Sequence, residues 1–541
     1  MSTRLSIAAF LASLSLVFSA ATTSYAKDYF LTIGGGYDPS GNQISLEKNV
    51  LFQQSVLASK RPDNPTYEVW FADGSDPHPD VQCRDPKFEE NCPAARRILA
   101  EVFGDGSSAD LYYRNNEVPG VKGASNLKEV KQRFADLARD VKSGDRVVIY
   151  VAGHGGRAGR SGRNRRPERG KTNEYNTTFY FWNTEPVTAT EFTSWLDRFP
   201  RDVEVVLVMV QCYAGGFAHT IFDKADANAG LSLSDRCGFF AQLHDRAAAG
   251  CTPDANDADY EEYSSYFWGA LGGKARGGKA VDSADYDKNG QVSFAEAHAY
   301  AIIESDTIDV PVRTSGALLK QFSELSKPTK KSDAGDDSKS SDGEYAELKG
   351  PISKLAAMCR PDQRAILDQL SAKLGLSQTA TVEDVKKKMR QVEDKLDDAD
   401  ADVSTASRTR RNALKSVKNE LYKSWPELRA AYAPLAIELA TDRADEFVAR
   451  VQKLPDYQAL HDAEKKEDEL SQAALKVERE KARCERLLQA CEYAVLAANL
   501  PRIAKPEVVK RYARLIAMEE GTLSEASESN ASSSAGVSST R

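Results

Sequence analysis

The chain has 541 residues, a formal net charge of −8 and a hydrophobic content of 41%. This length allows two or more domains, and the apolar fraction is sufficient for buried cores. The negative net charge argues against general nucleic-acid binding, which requires a basic surface.

The N-terminal segment 1–26 has the composition of a secretory signal peptide. Arg4 provides a positive start, Leu5–Phe18 is apolar, and Ser24-Tyr25-Ala26 is a small-x-small cleavage site. The apolar stretch is short and rich in serine for a membrane span, and no other segment is apolar enough to cross a membrane. We therefore expect cleavage near Ala26 and a secreted or periplasmic protein.

The next segments predict alternating strands and helices. Tyr29–Ile33 and Glu68–Ala72 have the character of strands, whereas Leu46–Ala58 and Leu127–Val141 have the character of helices. This alternation is typical of an α/β fold, in which helices flank a mostly parallel sheet.

Two apolar runs each lead to a residue with catalytic chemistry. The run 145–153 leads to His154, and the run 203–211 leads to Cys212. Such runs predict buried parallel strands, whose carboxyl ends meet at one sheet edge. A thiol beside an imidazole there is an activated nucleophile. The alternatives are a histidine packed in the core and a cysteine held in a disulfide.

The residues around this pair carry a family resemblance. Gly155 and Gly156 follow the histidine, Gln211 precedes the cysteine, and Gly215 comes three places after it; a predicted strand (179–183) and helix (187–200) lie between the two runs. Over residues 27–323 the chain resembles the caspase-like cysteine peptidases of clan CD. The Cys-x-x-Gly spacing is closer to legumains and gingipains than to caspases.

The resemblance implies a secreted cysteine endopeptidase that forms a thioacyl-enzyme on Cys212, with protein or peptide substrates and no organic cofactor. His154 would act as the acid–base partner, and the backbone N–H groups of Cys212 and Gly155 would form the oxyanion hole. Two rival hypotheses are a transpeptidase or ligase of the same fold and a catalytically silent, calcium-binding scaffold.

The same resemblance also bears on substrate preference. Caspases and legumains place a basic residue from the first-strand loop in the specificity pocket. Here the corresponding loop, 34–49, contains no Arg, and its one basic residue is Lys48. We therefore expect a basic residue or Asn at the cleaved position, with these substrate-binding candidates: Asp38, Gln211, Asp259 and Ser265. The alternative for the acidic loop around Asp259 is a purely solvated segment.

Residues 285–296 match the EF-hand calcium loop D-x-[DN]-x-[DN]-G-x5-E. The pattern predicts a structural Ca²⁺, with Gly290 at the sharp turn and the following ligands: Asp285, Asp287, Asn289, Gln291, Ser293 and Glu296. The entering segment is Gly-rich, which indicates a single or half hand. The alternative is a polar turn without an ion.

The chain has eight cysteines, and an exported protein would meet an oxidising compartment in which disulfides persist. We expect two pairs, Cys83–Cys92 and Cys237–Cys251. Cys484 and Cys491 lie about 10 Å apart along one predicted helix, too far to bridge each other. One of them is expected to pair with Cys359.

The remainder of the chain differs in character from the peptidase-like part (27–326). Residues 327–346 are rich in Ser, Asp and Lys and predict a flexible linker. Residues 347–520 have apolar positions at three- and four-residue spacing, which predicts an all-α domain of antiparallel helices or a coiled coil. Helical self-association or intramolecular regulation would suit this domain, and the Ser-rich tail 521–541 is expected to be disordered.

Overall fold

The computed structural model describes residues 27–62, 66–104, 106–159, 173–254, 262–281, 284–327, 345–430 and 433–523. The expected signal peptide, most of the expected linker, Asp259 and residues 524–541 lie outside these ranges. No helix in the described ranges combines the length and apolar character needed to cross a membrane.

The strands of the described residues form one large sheet and two small ones. In chain order they are β1 (Asp28–Gly34), β2 (Thr66–Phe71), β3 (Val81–Arg84), β4 (Leu111–Arg114), β5 (Val121–Gly123), β6 (Arg146–Ala152), β7 (His154–Gly156), β8 (Thr178–Phe181), β9 (Glu185–Thr188), β10 (Glu204–Met209), β11 (Arg236–Phe240) and β12 (Val312–Arg313). The large sheet has the order β12-β11-β10-β6-β1-β2-β5. Only β12 runs antiparallel to its neighbour in this sheet. The predicted α/β class with a mostly parallel sheet is therefore confirmed.

The helices begin beside the sheet and continue through the C-terminal part. They are α1 (Ile44–Lys60), α2 (Phe88–Asn91), α3 (Ala94–Phe103), α4 (Leu127–Asp140), α5 (Ala189–Leu196), α6 (Tyr263–Gly272), α7 (Phe294–Glu304), α8 (Thr314–Phe322), α9 (Ile352–Ala356), α10 (Pro361–Lys373), α11 (Val382–Ser424), α12 (Pro434–Ala440), α13 (Ala444–Gln452), α14 (Pro455–Ile503) and α15 (Pro506–Glu519). The region 347–520 is thus helical, as predicted.

Successive side chains of each central strand pack on opposite faces of the sheet, as strand geometry requires. On β6, Val147 and Ile149 join the core beneath α4 and α5, whereas Val148 and Tyr150 join the core beneath α1 and α6. Both faces are covered, so the strands are apolar throughout. This explains why the two catalytic-type residues follow continuous apolar runs.

The C-terminal helices complete one face of the sheet. Leu496 and Leu500 of α14 and Leu515 and Met518 of α15 belong to the same core as β6, β10 and β11. Leu523, just beyond α15, is also buried in this core, so residues 521–523 do not belong to the expected disordered tail. The helical region thus shares part of the sheet's core, and its remaining apolar side chains form two further clusters, one with α7 and one with α3.

All eight cysteines are free in the structure, so the expected disulfides are not formed. Cys237 is buried within β11, whereas Cys251 lies in a later loop beside His154. Cys83 is buried within β3, and Cys92 follows α2. The other three cysteines considered for a disulfide are free thiols buried in one cluster among packed helices: Cys359, Cys484 and Cys491.

Candidate active site

His154 and Cys212 follow adjacent parallel strands at matched positions. Val151 of β6 is in register with Met209 of β10, and each catalytic-type residue comes three places later. The backbone N–H of Val210 donates to the carbonyl of Val151 at 3.0 Å, which extends the pairing toward the edge. Both residues therefore follow the carboxyl ends of neighbouring strands of the sheet.

The imidazole of His154 is oriented by the loop after β1. Its Nε2 lies 2.7 Å from the carbonyl oxygen of Gly41 and 3.1 Å from Oε1 of Gln43. Because both neighbours are acceptors, we assign the proton to Nε2, which leaves the lone pair on Nδ1. Burial lowers the pKa of His154, so the ring is neutral at pH 7.

Cys212 sits on a sharp turn between β10 and a 3-10 helix, Ala214–Ile221. Tyr213 adopts a left-handed backbone conformation with φ of 59°, which is uncommon for a residue with a side chain. Burial raises the pKa of the Cys212 thiol, so the thiol form predominates at rest. The backbone N–H of Ala248 lies 3.3 Å from Sγ.

The glycines of the motif have steric reasons to be glycine. A Cβ on Gly155 would overlap the carbonyl oxygen of Cys212 and lie 2.8 Å from Cγ of Gln211. A Cβ on Gly215 would lie 2.7 Å from the carbonyl oxygen of Gln242. Only glycine permits this approach, so the backbone at Gly155 lies against the backbone of Cys212.

The structure places the expected substrate-binding residues in different environments. Gln211 is 1% exposed, and neither atom of its amide group has a hydrogen-bond partner among the described residues. Asp38 caps a 3-10 helix by accepting from Gly41 N at 2.9 Å. Ser265 donates hydrogen bonds through its N–H and its hydroxyl to the side chain of Glu262, the N-cap residue of α6. Both polar groups of Ser265 are therefore already paired within the helix cap.

Sequence reasoning missed Asp309, a buried carboxyl group near Cys212. The residue is 1% exposed, and its Oδ1 accepts from the backbone N–H of Ala249 at 2.8 Å. Desolvation raises the pKa of Asp309 to about 7. The residue precedes β12 in a loop without a motif, so only the tertiary structure identifies it.

Arg486 of α14 supports the loop that carries Asp309. This residue is 2% exposed, and its guanidinium donates at 2.6–3.0 Å to the carbonyl of Ile302 in the last turn of α7 and to three carbonyls of the following loop: Ser305, Thr307 and Asp309. Five N–H donors in a rigid fork suit such a set of carbonyls. The C-terminal helices thus contact a loop adjoining the site.

The predicted calcium loop forms a compact turn before α7. One carboxylate oxygen from each of Asp285, Asp287 and Glu296 lies within 4.8 Å of the others. Gly290 has φ of 90°, the conformation expected at the sharp turn. Glu296 also forms a capping box with Ser293 at the start of α7. The donor set of hard oxygen atoms suits Ca²⁺.

The other three expected calcium ligands lie within the same turn. Asn289 Oδ1 accepts from the backbone N–H of Gln291 at 2.8 Å. Ser293 is the N-cap of α7, and its hydroxyl donates to Glu296 at 2.9 Å. Internal hydrogen bonds thus hold these side chains close to the acidic group.

No protein-family model matches the chain, and no curated protein matches it. Among solved structures, the chain is similar to the crystal structure of protein GSU0716 from Geobacter sulfurreducens, with 10% identity and a TM-score of 0.28. That similarity covers 50% of this chain and 88% of the other. A similarity of this degree carries no argument about function.

Proposed function

We propose that this protein is an exported cysteine endopeptidase of the caspase-like type, closest to the legumain and gingipain branch. The observation that carries the proposal is the matched placement of His154 and Cys212 after paired strands. The close approach of Gly155 to the main chain of Cys212 supports it further. Together these features supply a nucleophile, a base and an oxyanion site at one sheet edge.

The proposed reaction begins with attack of Cys212 Sγ on the scissile carbonyl carbon, while the thiol proton passes to Nδ1 of His154. The carbonyl oxygen becomes an oxyanion and accepts hydrogen bonds from the N–H groups of Cys212 and Gly155. Collapse of this intermediate releases the amine, which takes the proton from His154, and leaves a thioacyl-enzyme. Water then attacks the thioester carbonyl carbon while Nδ1 of His154 takes its proton. The C–S bond breaks, the carboxylic acid product leaves, and the proton returns from His154 to the Cys212 sulfur.

Gln43 and Gly41 would position the base in this scheme. Their oxygens face Nε2 of His154 at 3.1 and 2.7 Å, so Nδ1 is directed away from them. When His154 gains the second proton, both oxygens still accept from Nε2, and the imidazolium keeps its orientation.

We propose peptide substrates with a basic residue or Asn at the cleaved position. Gln211 supports recognition near this site, because its buried amide has no hydrogen-bond partner among the described residues and adjoins the nucleophile. Buried polar groups are normally paired, so an unpaired amide beside a nucleophile suits a ligand-binding role. A fluorogenic peptide panel with Arg, Lys, Asn or Asp at that position, assayed against the wild type and Cys212→Ala, tests this proposal. Hydrolysis of the peptides at equal rates by the wild type and by Cys212→Ala would reject the proposed peptide cleavage at this site.

We also propose a structural Ca²⁺ on the 285–296 loop. Asp285, Asp287 and Glu296 supply three carboxylates, and the remaining expected ligands lie in the same turn. The ion would neutralise clustered negative charge and stabilise the start of α7. It takes no part in the proposed cleavage chemistry.

A further inference from the structure

Residues 246–253, which we call the strap, follow β11 and pass beside both catalytic-type residues. The strap is held by hydrogen bonds along its length, to the Cys212-Tyr213 turn, to Gln242, to Asp309 and to Ser45 of α1. At its start, the backbone N–H of Tyr213 donates to the carbonyl of Arg246 at 3.0 Å. Near its end, the N–H of Thr252 donates to Oγ of Ser45 at 3.0 Å.

The middle of the strap contacts the nucleophile directly. The N–H of Ala248 lies 3.3 Å from Cys212 Sγ, and the next N–H, of Ala249, lies 2.8 Å from Asp309 Oδ1. Consecutive residues of a trans chain are about 3.8 Å apart at Cα, so Cys212 and Asp309 hold adjacent peptide groups. The strap backbone therefore lies at the sulfur atom that would attack a substrate.

The same strap reaches the base. Sγ of Cys251 lies 3.8 Å from Nδ1 of His154, the nitrogen that takes the thiol proton in the proposed mechanism. Cys251 is exposed by its surface area, yet enough protein surrounds its sulfur that desolvation raises its pKa to about 12. A neutral thiol thus faces the lone pair of the base.

Two further contacts hold the ends of the strap in place. Arg246 forms an ion pair with Glu485 of α14 at 2.6 Å. The carbonyl of Pro253 accepts from the backbone N–H of Arg84 at 2.9 Å. The strap is thereby connected to the C-terminal helices on one side and to β3 on the other.

We propose that the strap occupies the substrate cleft and holds the peptidase in a closed, self-inhibited state; this inference rests on the proposed function. A scissile peptide must place its carbonyl at Cys212 Sγ, where the amide of Ala248 lies in the closed state. Nδ1 of His154 must accept the thiol proton, but Cys251 is its neighbour. Activity therefore requires the strap to move.

Replacement of residues 246–252 by a Gly/Ser segment of equal length tests the proposal. The readout is the rate at which iodoacetamide modifies Cys212, measured by peptide mass spectrometry on the full chain. We expect a rise of about tenfold or more, since a site open a tenth of the time reacts at a tenth of its open rate. A free peptide with the 246–253 sequence should restore protection, and a scrambled peptide should not.

Cys251→Ala keeps the strap length and removes only the thiol beside His154, with Cys92→Ala as the matched control. We expect faster modification of Cys212 in the Cys251 variant and no change in the control. Unchanged modification in both the replaced-strap and Cys251 variants, with unchanged melting temperatures, would overturn the strap inference.

Alkylation of Cys212 requires no peptidase activity, so it separates the two proposals. Faster modification without any Cys212-dependent peptide hydrolysis in the opened variant would reject the proposed function and retain the closed strap. Cys212-dependent hydrolysis at equal rates in the wild type and the opened variant would retain the function and reject the strap.

Discussion

The sheet edge at Cys212 and the loop 285–296 are two kinds of candidate site. At the edge, residues far apart in sequence meet because β6 and β10 pair in register. In the loop, twelve consecutive residues form the whole arrangement, and its carboxylates converge without help from distant elements. The edge therefore depends on the global fold, whereas the loop depends on local turn chemistry.

This difference predicts separable consequences of substitution. Changes at the edge should abolish chemistry and leave the melting temperature near its wild-type value. Changes in the loop should lower stability and leave the reactivity of Cys212 unchanged.

Among the substitutions at this sheet edge, His154→Ala should have the largest effect on peptide hydrolysis. Loss of the acid–base group should lower kcat/KM for a peptide substrate by about 10²–10⁴-fold. His78→Ala is the matched control, because its side chain is 86% exposed and remote in sequence from the motif. Activity of His154→Ala within a few-fold of the control would contradict the assigned role.

Gly155→Ala should impair the edge through sterics alone. The added Cβ would overlap the carbonyl oxygen of Cys212, so the backbone of the oxyanion site must shift. We expect a fall in kcat of about 10²-fold, typical of the loss of one oxyanion donor. Gly277→Ala is the control, since a Cβ there meets nothing within 4 Å. Equal kcat values for the two variants would rule out this steric account.

The pH dependence of Cys212 reactivity should reflect its burial. Because burial raises the thiol pKa, the thiolate fraction and the alkylation rate should still rise above about pH 8.5, where an ordinary thiol is half ionised. Burial lowers the pKa of His154, so the imidazole stays neutral down through its usual value of about 6.5. Iodoacetamide kinetics against pH measure this profile, and a plateau already reached at neutral pH would contradict it.

Glu296→Gln should alter the loop and leave the edge intact. Glu296 is 3% exposed, and Gln in its place can still accept the capping-box hydrogen bond from the Ser293 N–H, so the substitution removes mainly the negative charge that would bind the ion. We expect EGTA to lower the melting temperature of the wild type and to have no effect on this variant, while Cys212 alkylation is equal in both. Glu469→Gln, an exposed carboxylate on α14, is the control. An EGTA-insensitive wild type would remove the calcium proposal.

Hydropathy predicted the parts of the fold that burial on both faces determines. The runs before His154 and Cys212 became β6 and β10, each shorter by one or two residues at its ends. The predicted helix 187–200 is α5, but its first residues form β9, because Glu185–Thr188 pairs with β8. An edge pairing of four residues leaves little periodic signal.

Tertiary contacts explain what sequence reasoning missed. Gln43 and Asp309 lie in loops without a motif, and only the fold brings them to His154 and to the strap. The expected disulfides were wrong because sequence spacing does not reveal that Cys237 lies inside a central strand. The helical periodicity of α14 identified its apolar side, but not that Leu496 would pack on the sheet.

The assignment of Cys212 as the nucleophile can be tested by labelling with a thiol-reactive peptide probe. The protein with residues 246–252 replaced, in which the site is open, should be compared with the same protein carrying Cys212→Ala, and the site of attachment read by mass spectrometry. Labelling on Cys212 in the former, with no labelling of the Cys212→Ala protein, is the predicted result. Equal labelling of the two proteins would contradict the assignment of Cys212 as the nucleophile.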